Sequence, residues 1–415
     1  MIAELLAVGT ELLLGEIVDT NTAWLADDLA ERGVDVYWSR RVGDNRARVA
    51  EALREAMARS DLVVTVGGLG PTLDDLTREA IADALGEVPE VDAAQEQALR
   101  DWFAGRGQPM PEMNVKQAWC LPSGALLPNP LGTAPGWMIR KNERIIVALP
   151  GPPREMTRMW REEAVPRVGF PPSPFWRRTL KIWGLGESRV AELLGDWTES
   201  ANPSVATYSK ADGIHVRVAA RGRTPEEAET LARPAVAAVT ETFGERVWGS
   251  DADTTGDVVR RLLLQRGATL ASLESLTGGM LGNELASVPG ISEVYRGGGI
   301  SYTADAKVKF GVSADTVARV GTVAAQTAGE MALAAARWFG ADYGVATTGV
   351  AGPATWEGKP VGTVFIGLHG PLGTRTRALD FGVRSRDQIR ERTVFAALQL
   401  LRKALIAQET SPEMV

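Results

Sequence analysis

The chain has one cysteine, Cys120, so no disulfide can form within it. Its two histidines, His215 and His369, lie far apart, with no cysteine or carboxylate at ligand spacing around them. Zinc fingers, thiolate clusters and most histidine-based zinc hydrolases are excluded on this ground. Neither histidine stands near a nucleophile motif, which argues against a Ser-His-Asp triad. Hydrolysis by this chain has to rely on carboxylates, lysine or a metal held by oxygen ligands. Long apolar runs are missing too. No stretch reaches the roughly 20 apolar residues that a membrane span needs. The opening MIAELLAVG is too short, and lacks the basic flank, for a signal peptide. We therefore expect a cytoplasmic protein with no membrane partner. Positive charge is not in excess: 45 Lys+Arg against 52 Asp+Glu give a formal net charge of −7. That balance supplies no electrostatic footprint for nucleic acid, which is not an expected partner.

What the chain does have is length. Its 415 residues exceed one ordinary core, and at roughly 150 residues per domain two or three modules are expected. Residues 2–8 (IAELLAV) predict a buried strand, followed by a helix over Asn21–Arg32. The alternation continues with VDVYWS as strand, Arg46–Arg59 as helix, DLVVTV (61–66) as strand and Leu73–Leu85 as helix. Strands alternating with helices imply an α/β, doubly wound, mostly parallel sheet. The Pro-rich GFPPSP (169–174) closes this first domain at 1–170. Residues 171–250 read as a small α+β module with a hairpin turning at Gly213. A third α/β domain covers 255–408, and the tail SPEMV is expected to fray. The 12 tryptophans are spread over all three segments and read mostly as core packing.

Chemistry concentrates in two places. In VTVGGLGPTLDDLTRE (64–79), Gly67, Gly68 and Gly70 follow a buried strand and let backbone N–H groups approach an anion. Asp74 and Asp75 follow at a helix start, where carboxylates also serve the helix dipole. The GTEL (9–12), NPLGTAPG (129–136) and PGPP turns follow strands ending on the same edge, which is where open α/β sheets hold ligands. In the third domain, Ser275 ends a strand at a turn, with the N–H groups of Thr277, Gly278 and Gly279 around its hydroxyl. Such a turn suits a nucleophile with an oxyanion or phosphate cradle, and equally a serine N-cap. With no histidine available, the candidate bases are Lys307 and Tyr302. A lysine near its ordinary pKa of about 10.4 is useless as a base at neutral pH, so desolvation or a neighbouring cation has to lower it. Lys309 and Arg296 are near in sequence.

These segments resemble a known family. GTELLLGEIVDTNTAWLA (9–26), GGLGPTLDDLTREA (67–80), NPLGTAPG and LPGPPREM (149–156) are similar, in order, to the N-terminal domain of CinA (competence/damage-inducible) proteins, which has a molybdopterin-binding-like fold. KIWGLGES (181–188) and YSKADGIHVRV resemble the small KH-like domain of full-length members. GLGE (184–187) lacks the second glycine of an RNA-clamping GXXG loop, so a spacer or dimerising role is expected there. ASLESLTGGMLG (271–282), GGGISYTADAKVKFGV (297–312) and ATTGVAGP (346–353) resemble the CinA C-terminal domain. Leu276 departs from the cysteine common at that position in the family.

The resemblance implies two activities. In the first domain it implies ADP-ribose pyrophosphatase activity yielding AMP and ribose 5-phosphate. That activity would use a divalent ion (Mg, Mn or Co) with Asp74 and Asp75 as ligands, and Glu11, Asp19 and Glu79 as weaker candidates. The ADP-ribose would contact Thr10, Glu11, Asn21, Gly67, Gly68, Gly70, Thr133, Pro150 and Gly151. In the third domain it implies deamidation of nicotinamide mononucleotide to nicotinic acid mononucleotide and ammonia, without a metal. Ser275, Tyr302 and Lys307 would be catalytic, with Thr277, Gly278, Gly279, Thr347, Thr348, Gly349, Gly352, Arg386 and Arg390 on the substrate. Arg386 reads equally as a surface residue beside Asp387. A homodimer is also implied. The rival reading is a nucleotide- or pterin-binding protein without turnover that acts in competence or the DNA damage response.

Overall fold

The computed structural model describes residues 1–170 and 174–407; Pro171, Pro172 and Ser173 of the Pro-rich boundary and the tail SPEMV lie outside them. The first eight strands are β1 (Ile2–Val8), β2 (Asp35–Val42), β3 (Leu62–Val66), β4 (Glu90–Val91), β5 (Trp119–Cys120), β6 (Gly124–Leu127), β7 (Gly136–Lys141) and β8 (Arg144–Leu149). Six of them form one sheet in the order β2-β1-β3-β8-β7-β6, while β4 and β5 pair separately. β2, β1, β3 and β8 run parallel, and β7 and β6 are antiparallel. β1 is apolar almost throughout because both its faces are covered: Ala3 and Leu5 enter one core cluster, Leu6 and Val8 the other. Its charged residue, Glu4, is fully buried and held by Arg59 at 2.7 Å and Arg40 at 3.1 Å. The helix expected from Leu73 begins instead at Thr77. Before it, the Thr72 hydroxyl donates to the carboxylates of Asp74 and Asp75, a local bonding pattern that competes with helical turns. Because β1, β3 and β8 are parallel and in register, their following loops meet at one sheet edge.

The middle module forms a second sheet from β9 (Phe175–Ile182), β10 (Ser204–Lys210), β11 (Gly213–Arg221) and β12 (Val247–Ser250), in the order β10-β11-β9-β12. β10 and β11 make the hairpin, with Lys210 paired to Gly213. Helices Glu187–Leu194 and Pro225–Phe243 complete an α+β unit. By contacts the chain falls into two units, Met1–Arg177 with Ala220–Ala232, and Arg178–Ala219 with the chain from Arg233 onward.

The third domain is built on β13 (Leu270–Glu274), β14 (Tyr295–Ile300), β15 (Tyr343–Gly349), β16 (Thr363–Gly370) and β17 (Gly373–Asp380), ordered β14-β13-β15-β16-β17. β14, β13 and β15 are parallel, and β16 and β17 antiparallel, so the sheet is mixed. Helices Ala325–Phe339 and Arg386–Ala407 are its longest. Tryptophan is less uniformly internal than expected: Trp137, Trp160 and Trp248 are buried, whereas Trp38, Trp338 and Trp356 are exposed. Among the described residues no helix is long and apolar enough to cross a membrane.

Helix Ala325–Phe339 lies unusually close to the sheet. A Cβ on Gly344 would fall 1.9 Å from the Ala332 carbonyl oxygen, and one on Gly367 would fall 1.9 Å from that of Ala328. Neither backbone can yield without moving the helix, so Gly344→Ala and Gly367→Ala should each destabilise the domain by about 1–3 kcal/mol. The shift of the unfolding midpoint in urea checks this.

Candidate functional site

The loops after β1, β3 and β8 enclose a cavity of about 790 Å³ in the first domain. Glu11, Asn21, Gly67, Gly68, Gly70, Asp74, Asp75, Thr133, Pro150 and Gly151 all line it. Thr10 does not: its N–H donates to Asp44 at 2.8 Å and its hydroxyl accepts from the Asp44 N–H. Gly67 is required by its approach to β1, since a Cβ there would meet the Val8 carbonyl oxygen at 2.3 Å. Its own N–H is spent on the Leu149 carbonyl. The N–H groups of Gly68, Leu69 and Gly70 have no acceptor among the described residues, so they are the donors this loop leaves open. The Asn21 amide donates to the Gly151 carbonyl at 2.8 Å and so ties two of the loops together.

The cavity wall carries six acidic residues, Glu11, Asp19, Asp44, Asp74, Asp75 and Glu155, and, among the described residues, no lysine or arginine. Asp19 accepts from the N–H and hydroxyl of Thr22 and faces Arg41, and Glu79 is paired with Lys116 at 3.0 Å. Asp74 and Asp75 both accept from the Thr72 hydroxyl, which keeps their carboxylates together. The Thr72 hydroxyl, with backbone N–H and Lys116 assisting, holds the Asp74 carboxyl below the usual range, so it is ionised at neutral pH. Among the described residues no group of three or more His, Cys, Asp or Glu side chains is placed to hold a metal ion. Two adjacent carboxylates do suit a hard divalent ion that keeps its other positions for water and phosphate oxygens.

In the third domain β13 delivers Ser275 into a tight turn, and the helix Ala304–Phe310 carries Lys307 towards it. The Lys307 ammonium nitrogen lies 3.0 Å from Ser275 Oγ and 2.7 Å from the Ser301 carbonyl oxygen. Lys307 is fully buried and Ser275 nearly so. Burial pushes the lysine down to about 8, opposed by the charge of Glu357. Desolvation lowers it, not the cation of Lys309 or Arg296. Tyr302 is 55% exposed, and its hydroxyl accepts from Arg386 at 2.6 Å. Arg386 also donates to the Gly352 carbonyl at 2.8 Å and has no acidic partner among the described residues. It is Arg390 that faces Asp387, and Arg390 also donates to the Thr277 carbonyl at 3.0 Å.

The turn distributes its N–H groups differently from the expectation. That of Gly278 donates to the Ser275 carbonyl, and that of Gly279 to the Glu274 carboxylate. The N–H groups of Leu276 and Thr277, both buried residues, have no acceptor among the described residues. Buried N–H groups are rarely left so, and this pair is the part of the turn still open to an acceptor. The hydroxyls of Thr347 and Thr348 are spent internally, on Thr277 and on the Thr322 carbonyl. Ala346–Gly349, expected in a binding loop, form the end of β15 instead, where their backbone is paired with β16.

Sequence reasoning missed Arg78, Glu155, Glu274, the Ser301 carbonyl and Glu357. Arg78 stands among the charges of DDLTREA, where nothing marks it as buried, and Glu274 was signalled only as a charge in the strand ASLES. Arg78 is fully buried and donates to the carbonyls of Leu69 at 2.6 Å and Pro135 at 3.0 Å, joining the glycine loop to the TAPG loop. Burial lowers its guanidinium to about 10, opposed by Glu79 and Asp75, so it stays charged at neutral pH.

A molybdopterin-binding-like α/β domain, a KH-like module and a third α/β domain with a serine-lysine pair define a multidomain architecture. Residues 4–169 match the model of a probable molybdopterin binding domain, 177–249 the damage-inducible protein CinA KH domain, and 252–405 the CinA C-terminal domain. The chain is 43% identical over 412 residues to a CinA-like protein of Deinococcus deserti, covering 99% of each. It is 44% identical over 419 residues to a CinA-like protein of Frankia casuarinae, covering 98% of this chain and 96% of that one. Among solved structures, CinA of Thermoplasma acidophilum aligns with a TM-score of 0.38 and 33% identity, covering 40% of this chain and 98% of that one. The chain belongs to the CinA family.

Replacing Arg78 by alanine strips two buried carbonyls of their donor. Each costs about 1–3 kcal/mol, so Arg78→Ala should lower the first domain's unfolding temperature measurably in differential scanning calorimetry.

Proposed function

We propose that the third domain deamidates nicotinamide mononucleotide and that the first hydrolyses ADP-ribose to AMP and ribose 5-phosphate. The observation that carries the first assignment is Lys307, buried and 3.0 Å from Ser275 Oγ with burial lowering it to about 8. At pH 7 roughly a tenth of such a lysine is neutral, against about one in three thousand at its ordinary pKa. Neutral Lys307 takes the Ser275 proton as Oγ bonds to the carboxamide carbon. Charge developing on the carboxamide oxygen is met by the N–H groups of Leu276 and Thr277. Lys307 then gives the proton to nitrogen, the C–N bond breaks, and ammonia leaves a Ser275 ester. Water, losing its proton to Lys307, attacks the ester carbon, and Ser275 Oγ leaves with that proton. The direct Lys307–Ser275 contact supports transfer without a relay, and Tyr302, bonded to Arg386, orients the binding surface. Arg386 and Arg390 are the cations offered to the nucleotide phosphate.

For the first domain, the acidic wall and the Gly68 and Gly70 donors support a diphosphate brought in with a divalent ion. Asp74 and Asp75 would hold that ion, which supplies charge neutralisation when bound. The open N–H groups, with Thr133, would orient the phosphates.

Ammonia release from nicotinamide mononucleotide should persist in chelator and fall at least about a thousandfold in Ser275→Ala. Its rate should rise about tenfold per pH unit below 8 and level above, because the deprotonated lysine is the active form. Absence of release from folded protein would overturn the assignment. Separately, Asp75→Ala should abolish metal-dependent AMP formation from ADP-ribose while ammonia release continues at the parental rate; loss of both would contradict two independent sites.

A further inference from the structure

We propose that Glu274 is the positioning residue of the Ser275 site, holding the nucleophile turn so that the Leu276 and Thr277 N–H groups stay open to substrate. This rests on the amidase reading above. A helix start leaves backbone N–H groups without intrahelical partners. At the helix Met280–Ala286 they go inward: the Glu274 carboxylate accepts from Gly279 at 2.9 Å, Leu281 at 3.0 Å and Gly282 at 2.8 Å. Glu274 is 2% exposed, so this is an anchor beneath the turn and not a surface cap. Ser275 to Gly279 doubles back above it, through the Gly278 N–H to the Ser275 carbonyl and left-handed Gly278 and Gly279.

The same residue sets the seat of the base. Its carbonyl accepts from the Ser301 N–H at 2.7 Å, and the Ser301 carbonyl in turn accepts from Lys307. One side chain and one carbonyl of Glu274 therefore fix both the donors beside the nucleophile and the acceptor behind the lysine. Glutamine in its place keeps the shape but turns one acceptor into a donor facing N–H groups. The turn then loses part of its anchor, while Ser301 keeps its backbone bond.

Full-length Glu274→Gln should therefore lower kcat for nicotinamide mononucleotide by about ten- to hundredfold with KM within about threefold. The midpoint of its pH profile should stay near that of the parent, since Lys307 keeps its surroundings. A purely structural role would lower thermal stability and leave kcat of the folded protein intact, which overturns the proposal. So does a rise in KM alone. Ser275-dependent nitrophenolate release from p-nitrophenyl acetate separates the two readings. If the parent releases no ammonia, yet nitrophenolate release depends on both Ser275 and Glu274, the substrate assignment falls and the role of Glu274 stands. Hydrogen exchange of the Leu276–Gly282 amides needs no substrate and should be faster in Glu274→Gln; unchanged exchange sinks the proposal. Should that variant fail to fold, Glu274→Asp, which withdraws the carboxylate by one methylene, should show an intermediate loss, and parental rates in it would be equally decisive.

Discussion

The third domain turns on taking a lysine amine out of water without giving it a carboxylate to touch. A buried ammonium is stable when paired, and an unpaired one drifts toward its neutral form. Lys307 is offered a carbonyl and a hydroxyl, both of which a neutral amine can also satisfy. Glu357 is the acidic influence that acts on it, and it is engaged elsewhere, accepting from Thr322 and Val323. Everything around the pair serves this arrangement: β13 and β14 end side by side, the turn shields the serine, and a helix places the lysine against both.

The first domain solves the opposite problem. Its cavity gathers charge of one sign at the sheet edge and leaves its structural cation, Arg78, behind the wall, bonded to carbonyls. One domain thus sets a lysine amine apart from other charges, and the other concentrates carboxylates along one wall. Neither device needs histidine or cysteine, in keeping with a chain that has almost none.

Much of this was legible in the sequence, for identifiable reasons. Strands such as LVVTV and IAELLAV are apolar on both faces, so the layered α/β fold follows from the text. Glycines directly after those strands mark the sheet edge, and the serine turn announces itself in the same way. What stayed hidden were interactions whose partners are distant in sequence. Nothing near Lys307 says that it will be desolvated, and nothing near Arg78 says that its acceptors are Leu69 and Pro135, the latter far along the chain. Local bonding was also underestimated: Thr72 binding both Asp74 and Asp75 delays a helix that periodicity starts earlier. N–H groups assigned to a ligand by their position, at Gly67, Gly278 and Gly279, proved to be used by the fold itself.

The acidic wall of the first domain has a consequence for kinetics. Sites for phosphate compounds usually attract them from a distance through lysine and arginine, so that salt, by screening the attraction, slows their capture. Six acidic residues and, among the described residues, no basic one in the wall oppose such an attraction, tempered by Arg41 beside Asp19 and Lys116 beside Asp74. A free anion meets those carboxylates at the wall, and screening weakens their opposition. Raising the ionic strength therefore speeds the arrival of an uncomplexed anion here, whereas a ligand that carries its own cation arrives at a rate that salt changes far less.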